Sequence, residues 1–198
     1  MNQREMQRLE TRRTLAEHAL RLFQEQGFDE TTVDEIAAAA GVSARTFFLH
    51  FATKAAAAFP DHDERVASFT TRLGDGRTPG NPLLHLCATM AGGLDPGSPT
   101  RRIRYRLLDK VSALRDEDAR TDRDYEQLIV AYLLQAWGDT VEARVRANAI
   151  ANASLGIARA CLIASSKDGI DANRVCFELM HRMFGSPFDV PLHSLKQD

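Results

Sequence analysis

The stretch Thr32-Val33-Asp34-Glu35-Ile36-Ala37-Ala38-Ala39-Ala40-Gly41-Val42-Ser43-Ala44-Arg45-Thr46-Phe47-Phe48-Leu49-His50-Phe51 decides how the chain is read. It holds two short helices and the turn between them. Thr32, followed three residues later by Glu35, is a capping box. The hydroxyl and the carboxylate satisfy reciprocal backbone N–H groups at the start of a helix over 33–40. Gly41 ends that helix, because a tight helix-to-helix turn needs a positive φ that glycine adopts without strain. Ser43 is the N-cap of the next helix, 44–51. Ile36, Ala37, Ala40, Val42, Phe47 and Phe51 are spaced to pack against Ala19, Leu20 and Phe23 of a preceding helix over 11–26, which Gly27 stops. Ala44, Arg45, Thr46, Phe48 and His50 are left facing outward. Core packing does not account for Phe48 in that position.

Outward from this unit the chain reads as helix broken by punctuation. A fourth helix is expected from after Thr53 toward Leu73. Gly74-Asp75-Gly76-Arg77-Thr78-Pro79-Gly80-Asn81-Pro82 is a loop by composition. Helices are expected at 83–91, 99–114, 118–137, 140–166 and 171–184, with an irregular tail over 185–198 carrying Pro187 and Pro191. No strand pattern, internal repeat or low-complexity block is present. The fold class is all-α: a three-helix helix-turn-helix head over 1–59 and a helical body over 60–198.

The 198 residues are 44% hydrophobic, enough to bury a core, and carry a formal charge of -2. A nucleic-acid role would therefore need a local basic face. Residues 36–60 supply one, with Arg45 and Lys54 and no Asp or Glu, although residues 1–60 together hold seven Lys/Arg against eight Asp/Glu. Arg4, Arg8, Arg12 and Arg13 are possible helpers. Three widely spaced cysteines, Cys87, Cys161 and Cys176, suit free thiols in a reducing compartment, and no apolar leader opens the chain, so a cytoplasmic location is expected. The least polar run, 147–165, is broken by Asn148, Asn152 and Arg159 and is mostly small residues, so no membrane partner is expected. No GxSxG, glycine-rich phosphate loop or HExxH occurs, and the His and Cys residues lack metal-ligand spacing, His181 being five residues from Cys176. No catalytic residue, metal or cofactor is assigned.

The run from Phe28 to Ala37, then Gly41-Val42-Ser43, then Thr46-Phe47-Phe48-Leu49-His50-Phe51 and Thr53-Lys54, resembles the DNA-binding signature of TetR-family regulators. The resemblance covers 11–59, under a third of the chain. It departs from the family at Phe48, where a Tyr is usual and a hydroxyl–phosphate bond is lost. It also departs at Ala55, Ala56 and Ala57, where an acidic residue and a Leu are usual. It implies a homodimer on a near-palindromic double-stranded operator, a repressor released by a small-molecule effector, and no enzyme. Arg45 is the candidate reader of guanine O6/N7, Phe48 of a thymine methyl or sugar, and Thr46 of a base edge or phosphate. His50, Lys54 and Thr32 suit phosphates, with Ser43 and Ala44 at the start of the recognition helix. Each also has a plain surface role when taken alone.

The body matches no motif by itself. The helix 141–166 is rich in small residues and has no strongly polar face, so it must be buried on nearly every side. With 171–184 it is the expected dimer interface, through Ala149, Ala153, Gly156, Ala160, Val175 and Leu179, in a four-helix arrangement; a monomer core is the alternative. Cys87, Met90, Tyr105, Leu108, Tyr125, Leu128, Ile129 and Trp137 are candidate walls of an apolar ligand pocket. The basic run Arg101, Arg102, Arg104, Arg106 and Lys110 reads first as a solvated, salt-bridged face and second as a site for an anionic ligand. An all-helical enzyme, or an adaptor whose helix-turn-helix no longer binds DNA, are the competing functions.

Overall fold

A computed structural model describes residues 2–74 and 80–184. Among them the order is α1 (Gln3–Glu25), α2 (Val33–Ala39), α3 (Ala44–His50), a 3-10 turn (Ala55–Ala58), α4 (His62–Leu73), α5 (Pro82–Gly93), α6 (Pro99–Leu108), α7 (Ser112–Trp137), α8 (Val141–Asp168) and α9 (Ala172–Phe184). No strand occurs among the described residues, as the all-α reading requires. The tail 185–198 and most of the expected 74–82 loop lie outside them.

Three boundaries differ from expectation, each for a local reason. α1 begins at Gln3, eight residues early, with Asn2 accepting from the Glu5 N–H at 2.9 Å. Residues 3–10 are mostly polar and, apart from half-buried Leu9, exposed, so no apolar stripe announced them, but they contain good helix formers and no breaker. The fourth helix does not start after Thr53. Pro60 lacks an N–H and disfavours helical geometry at Phe59, which sits at φ -123°, ψ 52°. α4 therefore starts at His62. The break expected near 115–117 falls at 109–111, where Arg115 Nη1 donates to the free carbonyls of Leu108 (3.3 Å) and Asp109 (3.0 Å) at the end of α6.

The chain divides into two compact units, residues 1–64 with 95–121, and residues 65–94 with 122–198. In the first, α1 supplies Leu15, Ala16, Ala19, Leu20 and Phe23 to a core shared with α2, the 3-10 turn and α6. In the second, α9 packs on α5 and α8 around Leu86, Cys87, Ile129, Leu133, Ala147, Ala151, Cys176 and Met180. α8 is long and apolar enough by length and composition to cross a membrane. Within this unit it is a core helix: Ala147, Ala151, Ser154 and Ala158 are buried, Asn152 Nδ2 donates to Glu126 Oε1 at 2.9 Å, and Arg159 pairs with Asp122.

Candidate nucleic-acid interface

The angle between α2 and α3 is set by backbone and caps. Thr32 Oγ1 accepts from the Glu35 N–H (3.2 Å) while Glu35 Oε2 accepts from the Thr32 N–H (2.8 Å), the reciprocal box read from the sequence. The hydrogen bond from the Thr32 backbone, then that from its hydroxyl, hold the Glu35 carboxyl below its ordinary pKa. α2 closes in a Schellman turn. Gly41 N–H donates to Ala38 O (3.0 Å) and Val42 N–H to Ala37 O (2.9 Å), with Gly41 at φ +69°. Ser43 Oγ then accepts from the Thr46 N–H at 3.1 Å to open α3.

With Phe47 and Phe51 buried against the head's core, α3 turns Arg45, Phe48 and Leu49 outward, at i, i+3 and i+4 on one face. Phe48 is 57% exposed and Leu49 69%, and Phe48 stands edge-on to Phe47 with centroids 5.5 Å apart. Arg45 is exposed and makes no hydrogen bond or ion pair among the described residues. Leu49 was absent from the sequence-derived set; its place one helical turn from Arg45 was the available signal. Thr46 and Ala44 are half-buried, and Ser43 Oγ lies 2.9 Å from Thr46 Oγ1.

Three polar residues assigned to phosphates have internal partners or surroundings. Lys54 Nζ donates to Phe28 O (2.5 Å) and Thr31 O (2.7 Å), more weakly to Asp29 O (3.5 Å), and sits 4.2 Å from the Phe28 ring centroid. It ties the α1–α2 connection to the segment after α3, and a phosphate would have to compete with those carbonyls. Thr32 is exposed, but its hydroxyl already lies 2.9 Å from Glu35 Oε2. His50 is half-buried with Nδ1 enclosed and unpartnered. Burial, followed by the charges of Arg12 and Arg8, pushes its pKa below the ordinary histidine value, so the ring favours the neutral form. Arg12, expected to help at DNA, points into the head instead. It donates to Pro60 O (2.9 Å) and to His50 O, with its guanidinium carbon 4.3 Å from the Phe51 ring centroid. Arg4 and Arg8 remain exposed, and Arg13 makes an exposed pair with Glu64.

In the second unit, Ala149, Gly156, Ala160 and Leu179 are exposed, and Ala153 and Val175 half-buried, in the single chain. In the single chain a line of exposed positions on α8 runs from Val141 and Val145 through Asn152 and Gly156 to Ala160. The pocket candidates separate. Cys87, Met90, Tyr125, Leu128, Ile129 and Trp137 belong to the second unit's core, Tyr105 and Leu108 to the first unit. An open depression of about 310 Å3 on α7 and α8 is lined by Arg123, Glu126, Gln127, Val130 and Asn148, none of them a candidate wall. Among the described residues no group of three His, Cys, Asp or Glu is placed to hold a metal.

Residues 15–56 match the family model described as bacterial regulatory proteins, tetR family. Over 54 residues the chain is 50% identical to the HTH-type transcriptional regulator TcmR of Streptomyces glaucescens, a match taking in 27% of this chain and 23% of that regulator. The chain thus covers under a quarter of that curated relative. Native NalD of Pseudomonas aeruginosa, the secondary repressor of the MexAB-OprM multidrug efflux pump, is similar with TM-score 0.59 at 25% identity, over 89% of this chain and 96% of that one. Thermus thermophilus FadR, a TetR-family repressor solved with lauroyl-CoA, shares the fold at TM-score 0.55 and 22% identity, over 87% of this chain and 92% of that one. The family match thus lies in the head, over residues 15–56, while the fold is similar over most of the chain's length to those of NalD and FadR.

Proposed function

We propose that the protein is a cytoplasmic, homodimeric, sequence-specific DNA-binding regulator, a repressor that a small, largely apolar molecule releases from its operator. The observation that carries this reading is the outward face of α3. Arg45, Phe48 and Leu49 are exposed together on a helix whose other face is locked by Phe47 and Phe51. A solvated surface helix has no need of two large exposed apolar side chains beside an unengaged arginine; a helix that enters a major groove does. Arg45 reads a guanine, Phe48 and Leu49 meet thymine methyls or sugars, and Ser43, Ala44 and Thr46 approach the same groove. Thr32 and His50 face phosphates, His50 as a neutral N–H donor. Lys54 acts from behind as a positioning residue.

Dimerisation runs through the exposed line of α8 and the Val175 and Leu179 side of α9. It places two α3 helices in successive major grooves, about 10 bp apart. The apolar effector is received in the second unit, where Cys87, Met90, Tyr125, Leu128, Ile129 and Trp137 gather. The repressor roles of NalD and FadR, and the acyl chain of lauroyl-CoA in FadR, support this reading by analogy. The effector acts on α4, shifting the separation of the recognition helices by a few Å. Coupling is reciprocal, so operator DNA weakens effector binding by the factor the effector weakens DNA binding. Selection of bound duplexes from a random pool tests the DNA reading. Recovery of a two-half-site motif that loses one base preference in Arg45→Ala is expected; recovery of no motif refutes it.

A further inference from the structure

Arg104 was read from the sequence as part of a solvated basic face, and the structure corrects this. Its residue exposure is 0%, the largest side chain so fully enclosed among the described residues. Nη1 donates to Ala58 O at 2.9 Å and to Asp61 Oδ1 at 3.1 Å. The guanidinium carbon lies 5.0 Å from the Phe59 ring centroid and 5.2 Å from that of Tyr105. Nε and Nη2 are buried and have no hydrogen-bond partner. All of these groups belong to the first unit.

A guanidinium carries five N–H bonds in a rigid fork, and three of them here go unanswered. Unsatisfied buried donors are strongly disfavoured, more so when charged, so such an edge calls for a missing partner. Nε–H and one N–H of Nη2 run nearly parallel, the geometry that accepts two oxygens of one oxyanion side-on. Asp61 cannot supply them. Its Oδ1 is taken by Arg104, and its Oδ2 by Arg101, one helical turn earlier, whose Nε and Nη2 each lie 2.8 Å away. In the enclosed part of the cluster one carboxylate, with 24% of its side chain exposed, therefore serves two guanidiniums, with 17% and 1% exposed. Asp95, which also pairs with Arg101 at 3.3 Å, is mostly exposed.

We propose that the Nε/Nη2 edge of Arg104 is a receptor for the carboxylate of a small organic acid. The two parallel donors match the two oxygens of one carboxylate, and the Phe59 and Tyr105 rings suit an apolar body attached to it. A phosphate dianion would carry a larger desolvation penalty. The edge is closed to solvent, so the apparent affinity is the intrinsic one reduced by the fraction of molecules in which it is open. The site does not rest on the DNA reading, since binding here is measured with no DNA present.

Sodium benzoate titrated into the full-length protein at constant ionic strength, with chloride and inorganic phosphate as separate arms, tests it. Benzoate should raise Tm saturably and shift the Arg104 Nε–H resonance in a 15N spectrum, while chloride and phosphate do neither. Arg104→Lys, which keeps the charge and loses the edge, should weaken benzoate by about tenfold or more. If that variant fails to fold, crystals of the wild type with 4-bromobenzoate decide, through the anomalous bromine signal and the carboxylate position. Benzoate that leaves the Nε resonance unmoved, phosphate that binds in its place, an ordered water alone on the edge, or bromine found elsewhere would each overturn the assignment.

Discussion

Replacing Lys54 with methionine separates two roles that this lysine could have. Methionine keeps the length and apolar stem of the side chain and removes the ammonium. In the wild type that ammonium answers Phe28 O and Thr31 O at 2.5 and 2.7 Å and lies 4.2 Å from the Phe28 ring centroid. A hydrogen bond to a charged group contributes about 1.5–3 kcal/mol, and an exposed cation–π contact about 0.5–1 kcal/mol. Lys54 is half-exposed and water can replace it at the carbonyls, so the loss belongs near the low end, about 2–3 kcal/mol in all. For a chain of this size that lowers Tm by about 4–12 °C. Calorimetry reads the shift. The salt dependence of binding to a selected duplex reads the other role, because each lost phosphate contact flattens the log–log slope by about one unit. Lys54→Met should melt early with an unchanged slope in the remaining folded protein. An unchanged Tm with the slope reduced by about one would show that Lys54 serves DNA and not the head.

Arg45→Ala should cost about 1–3 kcal/mol of operator binding and relax one position of the selected motif, with Tm unmoved; an unchanged motif removes its role as a base reader. Ala160→Glu puts a carboxylate on the exposed line of α8 and should give a folded monomer by sedimentation; a folded dimer moves the interface elsewhere. Gly41→Ala meets no atom within 4 Å of the new Cβ, so its effect is the strain of φ +69° alone, about 1–2 kcal/mol in the urea midpoint at constant m; an unshifted midpoint contradicts the turn geometry. Burial raises the thiol of Cys176 to about 12 and that of Cys87 to about 11 from 9.0. The folded state then holds protons that the unfolded state releases, so this stability is present below pH 9.0 and is lost as pH rises toward 11 and 12. Urea titrations across that window should show a shallower decline in Cys176→Ala; an equal decline refutes the assignment.

The parts of the head that were legible in the sequence are those governed by local chemistry. Thr32 with Glu35, Gly41 and Ser43 each act within four residues, and all behave as read. The misread parts depend on partners distant in the chain. Lys54 finds carbonyls 23 and 26 residues back, Arg12 one 48 residues ahead, and Arg104 one 46 residues back. A charged side chain carries the same letter whether it faces solvent or is sealed in a core, so charge pattern alone placed all three outside. The α8 stripe shows the converse: small residues were recognised as an approach surface, but which of them the same chain covers was settled only by α5 and α9 packing.

The caps and the turn between α2 and α3 are made by Thr32, Glu35, Gly41, Ser43 and main-chain groups, and by none of the three exposed side chains on the outward face. The frame that aims the face and the letters written on it are therefore separate parts of the sequence. Arg45, Phe48 and Leu49 are open to change during divergence without resetting the helix angle. A library randomised at those three codons should yield variants that melt near the parent while preferring different half-sites, the pattern by which duplicated copies of such a head would acquire new operators.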